Sequence, residues 1–149
     1  MATRREIRIK VMQILYRADL ENLNIMDALN EEINNEENKD IIEDVKKYCE
    51  GINYNLVDID ELIKNNLHKY TISRLNVVDR EIIRIETYEM LIGLDLKIAI
   101  NEALEITKDY SDEGNHKQVS FNNRVLNDIS NVIKNKNGKW KIFNYYRIN

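Results

Sequence analysis

The side chains best equipped for chemistry stand at the start of the chain: Arg4, Arg5, Arg8 and Lys10, with Tyr16 close behind. Guanidinium groups fork onto phosphate or base oxygens, and a tyrosine face offers a stacking surface to an unstacked base. Basic residues interleaved with an aromatic therefore point toward single-stranded nucleic acid. Helical arginines are also common on merely solvated faces, so composition alone leaves RNA binding as one reading among others. A second set, His116, Lys117 and Phe121, opens a later helix, with Phe121 within about a turn of Lys117. It offers a stacking platform, although Phe121 taken alone reads more readily as a core residue.

Catalytic chemistry has little to stand on. No nucleophile and base are signposted, there is no Gly-rich phosphate loop, and His68 and His116 lie 48 residues apart. Glu89 falls on the apolar stripe of Val78, Ile82, Ile85 and Ile92, where a buried carboxylate is either a pKa-shifted acid or an acceptor for a neighbouring Arg or helix N-terminus. The second reading is the simpler. Asn101 and Glu102 likewise read first as structural polar groups. Cys49 cannot form an internal disulfide, and with two histidines it makes no zinc ligand set. The expectation is no catalytic residue, no metal and no cofactor.

The elements that position these residues follow from periodicity. Ile7, Val11, Ile14, Leu15 and Ala18 form one buried helical stripe, which places Arg5 and Tyr16 on one flank, Arg8 nearer its edge and Arg4 in the opening turn. Ile25, Ala28, Leu29 and Ile33 mark at most a short helix, with an acidic connection expected near 34–39. Ile41 to Leu67 reads as one long helix with a soft point near Gly51. Residues 75–92 are apolar on more than one side, as a central helix would be, and Gly93 ends them. Asp95 is placed to cap the next helix, which carries Ala99, Ala103 and Ile106, and Val125, Leu126 and Ile129 line a last one.

At 149 residues, with no Pro, four Gly and 43% hydrophobic residues, the chain reads as a single all-α domain, a compact helical bundle over 1–134, followed by a basic aromatic tail over 135–149. Trp140, Phe143, Tyr145 and Tyr146 in that tail read as packing on the bundle, contacting a partner or fraying. The start, MATRREIRIK, has no apolar segment of a signal peptide, and no run approaches the roughly 18 apolar residues of a membrane span, so a cytoplasmic protein is expected. The net charge of -4 hides an asymmetry. Residues 1–17 hold five basic residues against one acid, 21–61 hold thirteen acids against three Lys, and 134–149 hold five basic residues and no acid. A local basic patch decides polyanion binding more than net charge does, and the acidic stretch restricts where a polyanion docks.

Three segments together resemble the NusB family of bacterial transcription antitermination factors. RREIRIKVMQILY is similar to that family's Arg-rich first helix through Arg4, Arg5, Arg8, Gln13, Leu15 and Tyr16. SRLNVVDREIIRIETYEML resembles its central helix through Arg74, Leu75, Val78, Asp79, Arg80, Ile83, Arg84, Tyr88, Glu89 and Leu91, and IAINEALEITKDY continues it. SFNNRVLNDI resembles its Phe-Val-Asn-Gly-Val-Leu-Asp stretch through Phe121, Asn123, Val125 and Leu126. The resemblance implies about six to seven helices in two subbundles and a non-enzymatic role. It further implies that the chain pairs with the NusE-type ribosomal protein on boxA-like nascent RNA, with NusA, NusG and RNA polymerase, chiefly in ribosomal RNA operons. Carried over, it places Arg4, Arg5, Arg8 and Tyr16 on an RNA-contacting first helix, Lys117 and Phe121 near a second RNA-contacting element, and Glu81, Arg84 and Tyr88 at the protein partner, while Lys10 is a candidate for RNA from its charge alone. Glu6, Ile9, Asn122 and Arg124 depart from the family pattern.

Two other readings stay open. One is a bundle that binds only protein, which requires the Arg4, Arg5 and Arg8 cluster to be idle. The other is an accessory domain like those at the start of certain ribosomal RNA cytosine methyltransferases, which requires this chain to be a fragment.

Overall fold

The computed structural model describes residues 2–136. The expected tail, with Trp140, Phe143, Tyr145 and Tyr146, lies outside the described residues except for its first two. Seven α-helices and one 3₁₀ turn account for the described elements: α1 (Arg4–Glu21), α2 (Ile25–Asn35), α3 (Lys39–Tyr54), α4 (Leu56–Asn65), the turn Ile72–Arg74, α5 (Val77–Leu91), α6 (Leu96–Tyr110) and α7 (Lys117–Asn135). No strand occurs among them, so the all-α expectation holds. The helices start where short polar side chains can satisfy the first free amides. Thr3, Asn24, Asn38, Asn76 and Asp95 each accept a hydrogen bond from a backbone N–H two or three residues on.

Packing gathers α1, α2 and α3 into one group and α4, α6 and α7 around α5 into another, with α5 also lying against α1 and α3. α5 is therefore enclosed. Residues 81–92 are all buried, and among them Ile82, Ile83, Ile85, Tyr88 and Met90 are at most 2% exposed. This is the reason its sequence is apolar on several sides. It also forces Asp79, Glu81, Arg84, Glu86 and Glu89 to find partners away from water.

The long helix expected over 41–67 is two. The break falls at Asn55, not Gly51: the buried Asn55 donates through Nδ2 to the Gly51 carbonyl at 2.7 Å and closes α3. Gly51 sits inside α3 because the Tyr88 ring of α5 passes so close that a Cβ would overlap its hydroxyl. The connection expected over 34–39 shortens to residues 36–38, since α2 runs to Asn35.

Candidate nucleic-acid interface

The three arginines expected at RNA have three different environments. Arg4 is exposed in the first turn of α1. Arg5, with 42% of its side chain exposed, forks onto Glu102 of α6, its Nε and Nη2 each donating at 3.1 Å. Arg8, also expected at RNA, is 4% exposed and packs in the core. Its position seven residues before Leu15 puts it on the apolar stripe itself, and there it faces the acids of α5.

Arg8 donates to both oxygens of Glu89, at 2.5 and 2.9 Å, and the Tyr48 hydroxyl of α3 donates to the same carboxylate at 2.9 Å. Glu86 lies 3.5 Å from Arg8 Nε, and Glu102 lies 3.4 Å from its Nη1. Burial opposes the Arg8 charge, but the hydrogen bond and charge of Glu89, with Glu86, outweigh it and hold the guanidinium protonated. Burial would also raise Glu89, yet Glu86, Arg8 and Tyr48 hold it below the usual carboxylate range. Glu86 goes the other way. Its burial and its neighbour Glu89 push it well above that range. Neither Glu86 oxygen has a hydrogen-bond partner, which leaves this carboxyl the least satisfied of the cluster. Glu89 is thus the structural acceptor its stripe position suggested, and its arginine lies 81 residues away.

The flanks of α1 also separate Lys10 from Arg5. Arg5 and Tyr16 lie about 20 degrees apart around the helix, while Lys10 is about 140 degrees from Arg5. Tyr16 is 39% exposed, so an aromatic and a cation share that flank. On the other side, Lys10 reaches Glu36 at 2.8 Å and Glu32 at 3.5 Å, and Arg17 pairs with Glu21 and Glu31. Lys10, also expected at RNA, therefore lies on a different flank of α1 from Arg5 and Tyr16.

Glu81, Arg84 and Tyr88, expected at the protein partner, lie 0%, 8% and 0% exposed on α5. All three are packed inside the bundle. Arg84 instead ties three elements together, donating to Asp60 of α4 at 2.7 and 2.8 Å, Asp19 of α1 at 2.8 Å and Glu81 at 3.0 Å. Burial, with the adjoining Asp19 carboxylate, raises Glu81 to about 8 despite Arg84. Tyr88 packs edge-on against Tyr48, with ring centroids 6.0 Å apart.

A second surface forms where the segment before α5 meets the start of α7. A groove of about 320 Å³ is lined by Tyr70, Arg74, Asp79, Lys117, Gln118 and Phe121, among others. Phe121, half-buried, meets Tyr70 edge-to-face at 6.1 Å, and the Arg124 guanidinium lies over its ring at 5.5 Å. Lys117 is exposed at the rim. Phe121 therefore both packs on the bundle and shows part of its ring. Tyr70 was not singled out in the sequence and Arg74 only as part of the central-helix resemblance, though KYTISR mixes a cation and an aromatic as the first helix does. The departures at 122 and 124 have visible roles. Asn122 is buried and donates to Asp79 at 3.1 Å and Thr107 at 3.0 Å, and Ser111 donates to Asp79 at 2.6 Å. Arg124 packs on Phe121 and lies 3.6 Å from Asp128.

Among the described residues no group of three or more His, Cys, Asp or Glu converges as metal ligands. The buried Cys49 thiol is pushed up to about 12 by burial, which removes its nucleophilic form at neutral pH. No described helix is long and apolar enough to cross a membrane.

Comparison with known proteins gives a consistent result. The NusB family model matches residues 5–131. A transcription antitermination protein NusB of Sulfurimonas denitrificans is 38% identical over 135 residues, covering 87% of this chain and 98% of that protein. One from Clostridium botulinum strain Kyoto is 38% identical over 140 residues, covering 83% and 96%. A crystal form of T. maritima NusB superposes with a TM-score of 0.77 at 33% identity, covering 87% of this chain and 92% of that one. A chain in a crystal structure described as a plectonemic RNA supercoil gives a TM-score of 0.75 at 29% identity, covering 89% and 96%. The relatives are named for antitermination, a regulatory and non-enzymatic role.

Proposed function

The chain belongs to the NusB family, and on that premise we propose that it is an RNA-binding antitermination factor acting in the cytoplasm. With a NusE-type ribosomal protein it binds boxA-like nascent RNA, joins NusA, NusG and RNA polymerase, and suppresses termination chiefly in ribosomal RNA operons. The observation that carries the RNA reading is the groove beside α7, where Phe121 and Tyr70 form an aromatic corner lined by Arg74 and Lys117, with the Arg124 guanidinium over the Phe121 ring. Exposed aromatic surface beside cations is what a single strand needs: stacking for its bases and neutralisation for its phosphates.

The α1 flank of Arg5 and Tyr16, with Arg4 exposed in the opening turn, supplies the second contact. Arg8 acts behind it: by anchoring α1 to Glu89 it holds the helix that presents Arg5 and Tyr16. In the same way, Glu81, Arg84 and Tyr88 support a partner surface from beneath, Arg84 by fixing the partly exposed Asp19 and Asp60.

Fluorescence anisotropy with a boxA-like strand and a scrambled strand, each with and without a NusE-type protein, tests the reading. Preference for the boxA-like strand, tightened by the partner, supports it. Absence of binding to either strand with the partner present refutes it and favours an adaptor that binds only protein.

A further inference from the structure

The acid that holds Arg5 stands where an RNA phosphate would have to come. Glu102 offers two oxygens to Arg5 Nε and Nη2 in the parallel fork that a guanidinium also makes onto a phosphate. The pair is open to solvent on one side, with 42% of the Arg5 side chain and 25% of the Glu102 side chain exposed. Glu102 has a second anchor, 3.4 Å away at Arg8 Nη1, which retains it on the inner side if Arg5 turns outward. Tyr16, the exposed aromatic of α1, lies on the same flank as Arg5.

We propose that Glu102 is a built-in phosphate mimic: its carboxylate occupies the Arg5 fork in the unbound protein, and RNA has to displace or share it. This rests on the RNA-binding reading and adds the element that sets affinity on the α1 face. A phosphate that shares Arg5 with Glu102 meets a like charge at hydrogen-bonding range, and one that displaces it breaks an existing fork. Either way Arg5 contributes less to affinity than an unpaired arginine, and less than the about 0.7 per contact to the slope of log K against log salt expected for a single strand.

The opposite flank provides a matched control. Lys10 is held by Glu36 at 2.8 Å, and neutralising Glu36 changes net charge as neutralising Glu102 does, but away from Tyr16.

The test is anisotropy with a fluorescein-labelled boxA-like strand across a salt series, with thermal melts of every variant. Glu102→Gln is expected to bind about two- to fivefold tighter, the range for an exposed ion pair, with a slope steeper by up to about 0.7. Glu36→Gln should leave the slope unchanged, and Arg5→Ala placed in the Glu102→Gln background should cancel the gain. If Glu102→Gln does not fold, Glu102→Asp keeps the charge near Arg8 but is a methylene too short for the fork, and is expected to tighten binding by a smaller factor. Equal or weaker binding by the Glu102 variant overturns the proposal, as does equal tightening by Glu36→Gln, which reduces the effect to net charge. Unchanged variants against a wild type that binds overturn the mimic alone. A wild type and variants that all fail to bind overturn the RNA reading with it.

Discussion

Replacing Arg8 with Met separates the core role of this arginine from a role at RNA. The side chain keeps much of its bulk, but Glu89 loses both Arg8 hydrogen bonds and retains the Tyr48 hydroxyl. Removing one partner of a buried pair costs about 3–5 kcal/mol. Glu89 relieves part of this by taking up a proton in surroundings that then favour it, so the lower end, about 3 kcal/mol, is the working figure. At roughly 2–4 °C per kcal/mol for a domain of this size, Tm falls by about 6–12 °C at pH 7. The pH dependence has a definite sign. Because the folded Glu89 carboxyl is depressed, its contribution is present above the unfolded carboxylate pKa and is lost as pH falls through the folded value. The gap between wild type and variant should therefore narrow when melts at pH 7 are repeated below pH 4. Circular dichroism melts measure this, and an RNA salt series at a temperature where both proteins are folded completes the assay. A Tm within about 2 °C of wild type would refute the core role of Arg8, and a salt slope that drops by about 0.7 would show that it meets phosphate.

Other perturbations follow from the same geometry. Glu81 is raised to about 8, so its contribution to stability is present below its unfolded value and lost as pH rises through about 8; urea midpoints should fall between pH 5 and 9 in wild type and flatten in Glu81→Gln. An equally flat wild type would remove the premise. Gly51→Ala drives a Cβ into the Tyr88 hydroxyl and should cost about 1–3 kcal/mol in urea unfolding, and a neutral outcome would mean that Tyr88 shifts freely. Phe121→Ala should weaken single-strand binding roughly 5- to 150-fold, the range for about 1–3 kcal/mol per stacked base, read by anisotropy; undiminished affinity would exclude the ring as a stacking surface.

Much of this protein is local and was legible as such. The buried stripe of α1, the enclosure of α5 and the cap at Asp95 follow from apolar spacing and from a short side chain that bonds amides two or three residues away. The exposed flank of Arg5 and Tyr16 follows from the same periodicity, as does the structural role of Glu89.

Tertiary structure decided the charged side chains. Apolar spacing tells which face is buried, but a charged residue on or near that face is assigned by whichever counter-charge packing brings to it. Arg8 went inward because Glu89, 81 residues on, arrives with the Tyr48 hydroxyl; Arg5 stayed half-open because Glu102, 97 residues on, reaches it from the rim. Arg84 closed over Asp19 and Asp60 in the same way, and Gly51 was kept free of a Cβ by Tyr88 rather than by any need for a bend. Local spacing depends on a few dihedrals and can be read along the chain. Ion pairs and ring contacts depend on distances between helices, which exist only once those helices have packed.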